Sequence, residues 1–73
     1  MRDLISLYAL RSFEAAARLS SFHKAAAERN LTPAAVAHQV KRLEEDLGVE
    51  LFRRLHRGVV LNEHGREFLL AVE

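Results

Sequence analysis

The stretch Asn30-Leu31-Thr32-Pro33 constrains the fold more than any other part of the chain. Proline lacks the N–H that a helix interior needs, and its ring clashes with the preceding turn, so no helix runs through Pro33. The first position of a new helix suits it, because the N–H there has no partner anyway. Thr32 is an N-cap residue, and Asn30 tolerates the left-handed backbone that closes a helix. Two helices are therefore expected to meet across this tight turn.

Ahead of the turn, Leu10, Phe13 and Ala17 recur at three- and four-residue steps. They predict a first helix over Leu4–Leu19 with that stripe buried. Ser20-Ser21 interrupts the pattern, and Ser21 is placed to cap a short second helix, Phe22–Arg29. Alanines 15–17 and 25–27 keep both helices slim, so neighbours can approach closely. Past the turn, Val36, Val40, Leu43 and Leu47 fall on one face of a third helix that begins at Pro33. The opposite face carries Ala34, His38, Lys41 and Glu45, flanked by Ala37 and Arg42. Gly48 ends the helix.

Beyond Gly48 the period changes. Val49–Arg54 and Val59–Leu61 read as strands, and the Leu55-His56-Arg57-Gly58 segment between them carries a glycine that can take positive φ. The result is a small hairpin with a basic tip. Asn62 is placed to cap a fourth helix whose apolar positions are Phe68, Leu69 and Val72. Neither Gly nor Pro closes that pattern before the last residue, so the helix is expected to continue in a longer natural protein.

The expected architecture is mainly α: a winged helix-turn-helix with a three-helix core, a two-stranded β wing and the start of a fourth helix. Residues 1–61 form the expected DNA-binding domain, with the helix-turn-helix over 21–47 and the wing over 51–61. Residues 62–73 begin the fourth helix.

Composition supports this and removes other classes. At 73 residues the chain holds one small domain. Ala and Leu supply 23 of those residues, which favours helices. Cysteine is absent, so helix packing or association with another chain must stabilise so small a globule. No apolar run can span a bilayer and the N-terminus lacks a signal-peptide core, so a cytoplasmic protein without membrane contact is expected. The four histidines are not paired at i,i+3 or i,i+4, and no metal or other cofactor is expected. No Ser/His/acid order suggests nucleophilic catalysis, so the chain is not expected to be an enzyme.

The formal charge of +1 and pI of about 8.3 do not by themselves mark a nucleic-acid binder. The charges nevertheless come in blocks. Arg18, Lys24, Arg29, Lys41 and Arg42 face one acid, Glu28, across residues 18–42. Glu44, Glu45, Asp46 and Glu50 follow with no base among them. Arg53, Arg54, Arg57 and Arg66 then face only Glu63. Docking through the third helix is expected to point the acidic block away from DNA. Lys41 and Arg42 are spaced to pair with Glu45 and Asp46, and Arg53 and Arg54 are further candidate partners for these acids.

This layout carries a mechanism. A short helix and a tight turn hold the third helix outward, and Ala34, Ala35 and Ala37 let its N-terminal half sink into a major groove. The helix N-terminus adds partial positive charge. His38 and Lys41 can reach base edges or phosphates, and Arg57 can enter a minor groove. Lys24, Arg53 and Arg54 are placed to hold the DNA backbone, with His23 and Thr32 as further phosphate candidates. Ser21 and Arg42 complete the candidate contact set. Phe13, Phe22, Phe52 and Phe68 are read as core or interface aromatics.

Several segments resemble the LysR-type transcriptional regulators. They are Leu10 to Arg18 (LRSFEAAAR), Ser21 to Ala26 (SFHKAA), Leu31 to Val40 (LTPAAVAHQV) and Leu43 to Arg54 (LEEDLGVELFRR), together with Arg57-Gly58 and Leu61 to Gly65. The match covers nearly the whole chain. The resemblance implies a bacterial regulator several-fold longer than this chain, a homodimer joined through a linker or dimerisation helix that residues 62–73 begin. Phe68, Leu69 and Val72 are then candidate dimer contacts, and a small-molecule effector is sensed by a separate C-terminal domain. It also implies DNA contacts at Pro33, Ala34, Ala37, His38 and Arg57. Ala37 stands where such proteins often have Ser, so a hydroxyl contact is missing; Asn62 stands where Thr is usual, and it can still cap the helix. A protein-interaction or assembly module on the same winged fold is the alternative, because fold alone does not define function.

Overall fold

A computed structural model describes residues 6–72. In chain order the elements are α1 (Leu7–Leu19), α2 (Phe22–Arg29), α3 (Pro33–Leu47), β1 (Phe52–Arg54), β2 (Val59–Leu61) and α4 (Glu63–Val72). The architecture is mainly helical, a three-helix core with a two-stranded wing and a following helix.

The helix ends follow the capping chemistry of the sequence. Ser21 Oγ accepts the Lys24 N–H at 3.0 Å, and Thr32 Oγ1 accepts the Ala35 N–H at 3.1 Å with Pro33 at the first turn. Asn30 closes α2 at φ 57°, and Gly48 closes α3 at φ 77°. Asn62 Oδ1 accepts the Gly65 N–H at 2.8 Å and so caps α4. The start of α1 differs from the sequence expectation. Ser6 Oγ accepts the Tyr8 and Ala9 N–H groups, so the helix begins at Leu7 rather than Leu4. Leu4 and Ile5 lie outside the described residues.

The buried stripe of α1 is also wider than expected. Ala9, Ser12, Phe13, Ala15 and Ala16 are buried, whereas Leu10 and Ala17 are only half-buried. Both α2 and α3 pack on α1, with β2 also touching it, so small residues on two sides are covered. The α3 stripe holds, with Val36, Val40 and Leu43 buried and Leu47 packed against the core. Buried Ser12 donates its hydroxyl proton to Gln39 Oε1 of α3, which satisfies a polar group that would be costly to leave unpaired.

Four edge-to-face aromatic rings join the elements. Phe13 of α1 meets Phe52 of β1 at 5.6 Å and Phe68 of α4 at 5.2 Å, and Phe22 of α2 meets Phe52 at 5.6 Å. Such pairs add to the burial of the rings themselves, typically by about 0.5–1.5 kcal/mol each.

The wing is antiparallel, with Phe52 opposite Leu61, Arg53 opposite Val60 and Arg54 opposite Val59. Its first strand is shorter than the expected Val49–Arg54. The Leu51 carbonyl still accepts the Asn62 N–H across the hairpin, but the Leu51 N–H turns away to Glu44 Oε2, and the strand ends there. At the other end of the hairpin, Gly58 takes φ 102°, as its place in the loop predicts.

Candidate nucleic-acid interface

The α2–turn–α3 unit presents one face of α3 to solvent. Ala34, His38, Lys41 and Arg42 are exposed, and Pro33, Ala35 and Ala37 are half-buried. The first turns of this face carry only small side chains before His38, so its relief is low there. Thr32 is exposed, but its hydroxyl oxygen is engaged as the cap.

Beside that face runs a groove. Ala34, Ala37, His38, Lys41 and Glu44 line its α3 side; Arg53, Arg54 and Glu50 line its wing side; Phe22 and Phe52 also line it. The Arg54 guanidinium lies over the Phe22 ring, 5.5 Å from its centroid, which limits its rotamers while its charge stays in solvent. Phe22, read from the sequence as a core or interface aromatic, is therefore also a platform for a basic side chain. Among the described residues neither Arg53 nor Arg54 pairs with an acid.

The wing is tied to the helix-turn-helix unit. Ser20 takes φ 54° between α1 and α2, and its carbonyl accepts the Val59 N–H at 3.2 Å. Across the hairpin, Leu55 N–H donates to the Gly58 carbonyl at 3.0 Å. These bonds set Arg57, exposed at the tip, on a braced hairpin. His23 and Lys24 are exposed on the first turn of α2, where half-buried Ser21 provides the cap.

The charge blocks sort differently in space. Arg18 is held between Glu14, at 2.9 Å, and Glu28, so it is not a free base on the reading surface. Its hydrogen bonds to Glu28 and then to Glu14 raise its pKa further above the ordinary arginine value, and the same bond holds the Glu28 carboxyl below the usual carboxylate range. Arg29 is half-buried, and its Nη2 donates to the Tyr8 carbonyl at 3.4 Å. Of the first basic block, Lys24, Lys41 and Arg42 stay exposed, and among the described residues they pair with no acid apart from a 3.7 Å pairing of Arg42 with Asp46. The acidic block is not wholly turned away, as the sequence reading expects: Glu44 and Glu50 line the groove. The cause is the tertiary position of Leu51, whose N–H draws the Glu44 carboxylate inward.

On α4 the apolar residues split. Phe68 and Leu69 are half-buried against the core, while Leu70 is 77% and Val72 37% exposed. Phe68, expected at a dimer interface, is engaged with Phe13 inside the chain. Leu7 and Tyr8 at the start of α1 are exposed as well, and Leu7, Leu10 and Val72 line a common groove. The sequence does not single out outward-facing Leu70, because Phe68, Leu69, Leu70, Ala71 and Val72 form a continuous apolar run without a helical period.

A helix-turn-helix with a basic hairpin wing braced against it defines a winged helix-turn-helix domain. Residues 7–66 match the family described as bacterial regulatory helix-turn-helix protein, lysR family, and the chain belongs to that family. It is 55% identical over 69 residues to the HTH-type transcriptional activator AmpR of Pseudomonas aeruginosa, covering 94% of this chain and 23% of that protein. It is 51% identical over 72 residues to the glycine cleavage system transcriptional activator of Escherichia coli, covering 99% of this chain and 24% of that protein. The chain thus spans about a quarter of the length of the curated relatives it matches. Among solved structures, the CbnR DBD–DNA complex is similar at a TM-score of 0.87 and 33% identity, covering 90% of this chain and 76% of that one. The BenM DBD/benA site 1 DNA complex is similar at 0.84 and 33%, covering 90% and 74%. No described helix is long and apolar enough to cross a membrane.

Proposed function

We propose that this chain binds double-stranded DNA sequence-specifically and serves transcription regulation. The observation that carries this reading is the convergence, on one side of the molecule, of the low-relief face of α3 and an arginine-bearing wing braced at Ser20. In this reading α3 enters a major groove through Pro33, Ala34, Ala37, His38 and Lys41. Arg57 enters the adjacent minor groove, and Arg53 and Arg54 hold the intervening backbone. Ser21, His23, Lys24, Thr32 and Arg42 supply flanking phosphate contacts. The two similar structures are DNA complexes, which supports the same reading.

Residues 1–61 are then the DNA-binding domain and residues 62–73 the start of a linker helix that joins two copies. Exposed Leu70 and Val72 are the side chains available to such an interface, and Phe68 and Leu69 support α4 from beneath. Effector sensing belongs to parts of a regulator outside this chain, which is placed in the cytoplasm. Binding-site selection from a random duplex pool, followed by fluorescence anisotropy at several salt concentrations, tests the reading. An enriched site with strongly salt-dependent affinity is expected. Absence of salt-dependent binding at low ionic strength would sink it and favour the interaction-module alternative.

A further inference from the structure

Glu44 sits in the last turn of α3, where a carboxylate opposes the helix dipole. Helix stability gives no reason for an acid there, but its contact outside the helix does. Glu44 Oε2 accepts the Leu51 N–H at 2.8 Å. Leu51 is completely buried and precedes β1, so this N–H has no strand partner. Without Glu44 it would be a buried orphan donor.

The same peptide neighbourhood holds the linker helix. The Leu51 carbonyl accepts the Asn62 N–H at 2.9 Å, and Asn62 Nδ2 donates to the Glu50 carbonyl at 2.9 Å. Gly65 of α4 lies so close that a Cβ on it would stand 2.1 Å from the Leu51 oxygen. The helix α3, the wing and α4 therefore meet at one residue, and Glu44 is the side chain by which α3 grips it.

We infer that Glu44 is a positioning residue that fixes the wing and α4 relative to α3 through the Leu51 N–H, and so sets where Arg57 stands when α3 is docked. The inference rests on the DNA-binding reading for its consequence and on the hydrogen bonds alone for its geometry. Losing the acceptor frees the Leu51 peptide to turn, and the hairpin swings with it. Glutamine retains an acceptor oxygen at the same reach, whereas alanine and methionine do not. All three remove the same charge from the groove, so comparing them separates geometry from electrostatics.

The experiment combines two measurements on the 73-residue chain and its Glu44→Gln, Glu44→Ala and Glu44→Met variants. Thermal unfolding identifies the variants that remain folded. Residual dipolar couplings then report the orientation of the β1–β2 N–H vectors relative to α3 without DNA. Wild type and E44Q are expected to agree, and E44A and E44M to show a reoriented or averaged hairpin; an unchanged orientation in both overturns the inference. On a duplex chosen from the random pool, Arg57→Ala is expected to weaken binding about tenfold or more in wild type and in E44Q. In E44A and E44M the same change is expected to cost less than about twofold, because coupled positions are non-additive. Equal effects in all backgrounds overturn it, as a merely stabilising role for Glu44 predicts. If wild type binds no duplex, the DNA-binding reading fails while the dipolar couplings still decide the geometry.

Discussion

Gly58 lies directly against the Ser20 carbonyl. A Cβ built on Gly58 stands 2.5 Å from that oxygen, and the next amide, Val59 N–H, donates to the same atom. The wing thus touches the α1–α2 turn through backbone alone, with no side chain to yield between them.

Gly58→Ala meets two penalties at once, a φ of 102° that side chains rarely adopt and a clash with rigid backbone. The expected loss of stability is about 2 kcal/mol or more. Urea unfolding measures it. DNA affinity is expected to fall further than the stability loss explains, because Arg57 loses its brace; a variant as stable as wild type contradicts the packed wing.

Gly48 and Gly65 make an internal contrast. Gly48 caps α3 at φ 77° with nothing within 4 Å of its Cβ position, so Gly48→Ala is expected to cost only about 1 kcal/mol of backbone strain. Gly65 is helical, but its Cβ position is 2.1 Å from the Leu51 oxygen and 2.8 Å from Leu61 Cδ2. Gly65→Ala should therefore cost about 2 kcal/mol or more by overpacking, despite the better helix propensity of alanine. Thermal denaturation of the two variants side by side checks the order.

Arg57→Ala and His38→Ala should leave the melting temperature within error, since both side chains are exposed and make no hydrogen bond among the described residues. Each is expected to weaken binding to a selected duplex by about 1–3 kcal/mol if it contacts a base edge, with relaxed preference at one position. A contact to phosphate instead lowers the salt dependence with no change in preference. Anisotropy titrations across salt and across single-base variants separate these outcomes.

Acidification tests the Arg18–Glu28 pair. The Glu28 carboxyl is held below its unfolded value, chiefly by its hydrogen bond to Arg18. Its contribution is therefore present above the unfolded carboxylate pKa and is lost as pH falls through the lowered folded value. Wild type should lose stability on that acid side, and Glu28→Gln should show a shallower loss. Melting temperatures taken from neutral pH downward read the difference, which is expected to be small because the pair is exposed. Identical slopes would mean that the pair is not formed in solution.

Much of the fold is written locally. Ser21, Asn30, Thr32, Pro33, Gly48 and Asn62 mark helix ends because caps and positive-φ positions act within a few residues. The apolar spacing of α3 gives its buried face for the same reason. The candidate interface is partly legible in this way: the exposed positions of Ala34, His38 and Lys41 follow from the stripe opposite them, and Arg57 from its place beside Gly58.

Other features depend on partners far along the chain. The charge of Arg18 is neutralised in part by Glu28, ten residues on, and the accessibility of Phe68 by Phe13, which no local pattern records. Glu44 turns into the groove because a buried N–H from Leu51 needs an acceptor. Short-range stereochemistry let the sequence by itself determine the helices, the caps of α2 and α3, the N-cap of α4 and the winged order of elements. Only tertiary structure decided which charges stay free, which apolar side chains of α4 face outward, and how the wing is held, because those follow from burial and hydrogen-bond satisfaction between segments distant in the chain.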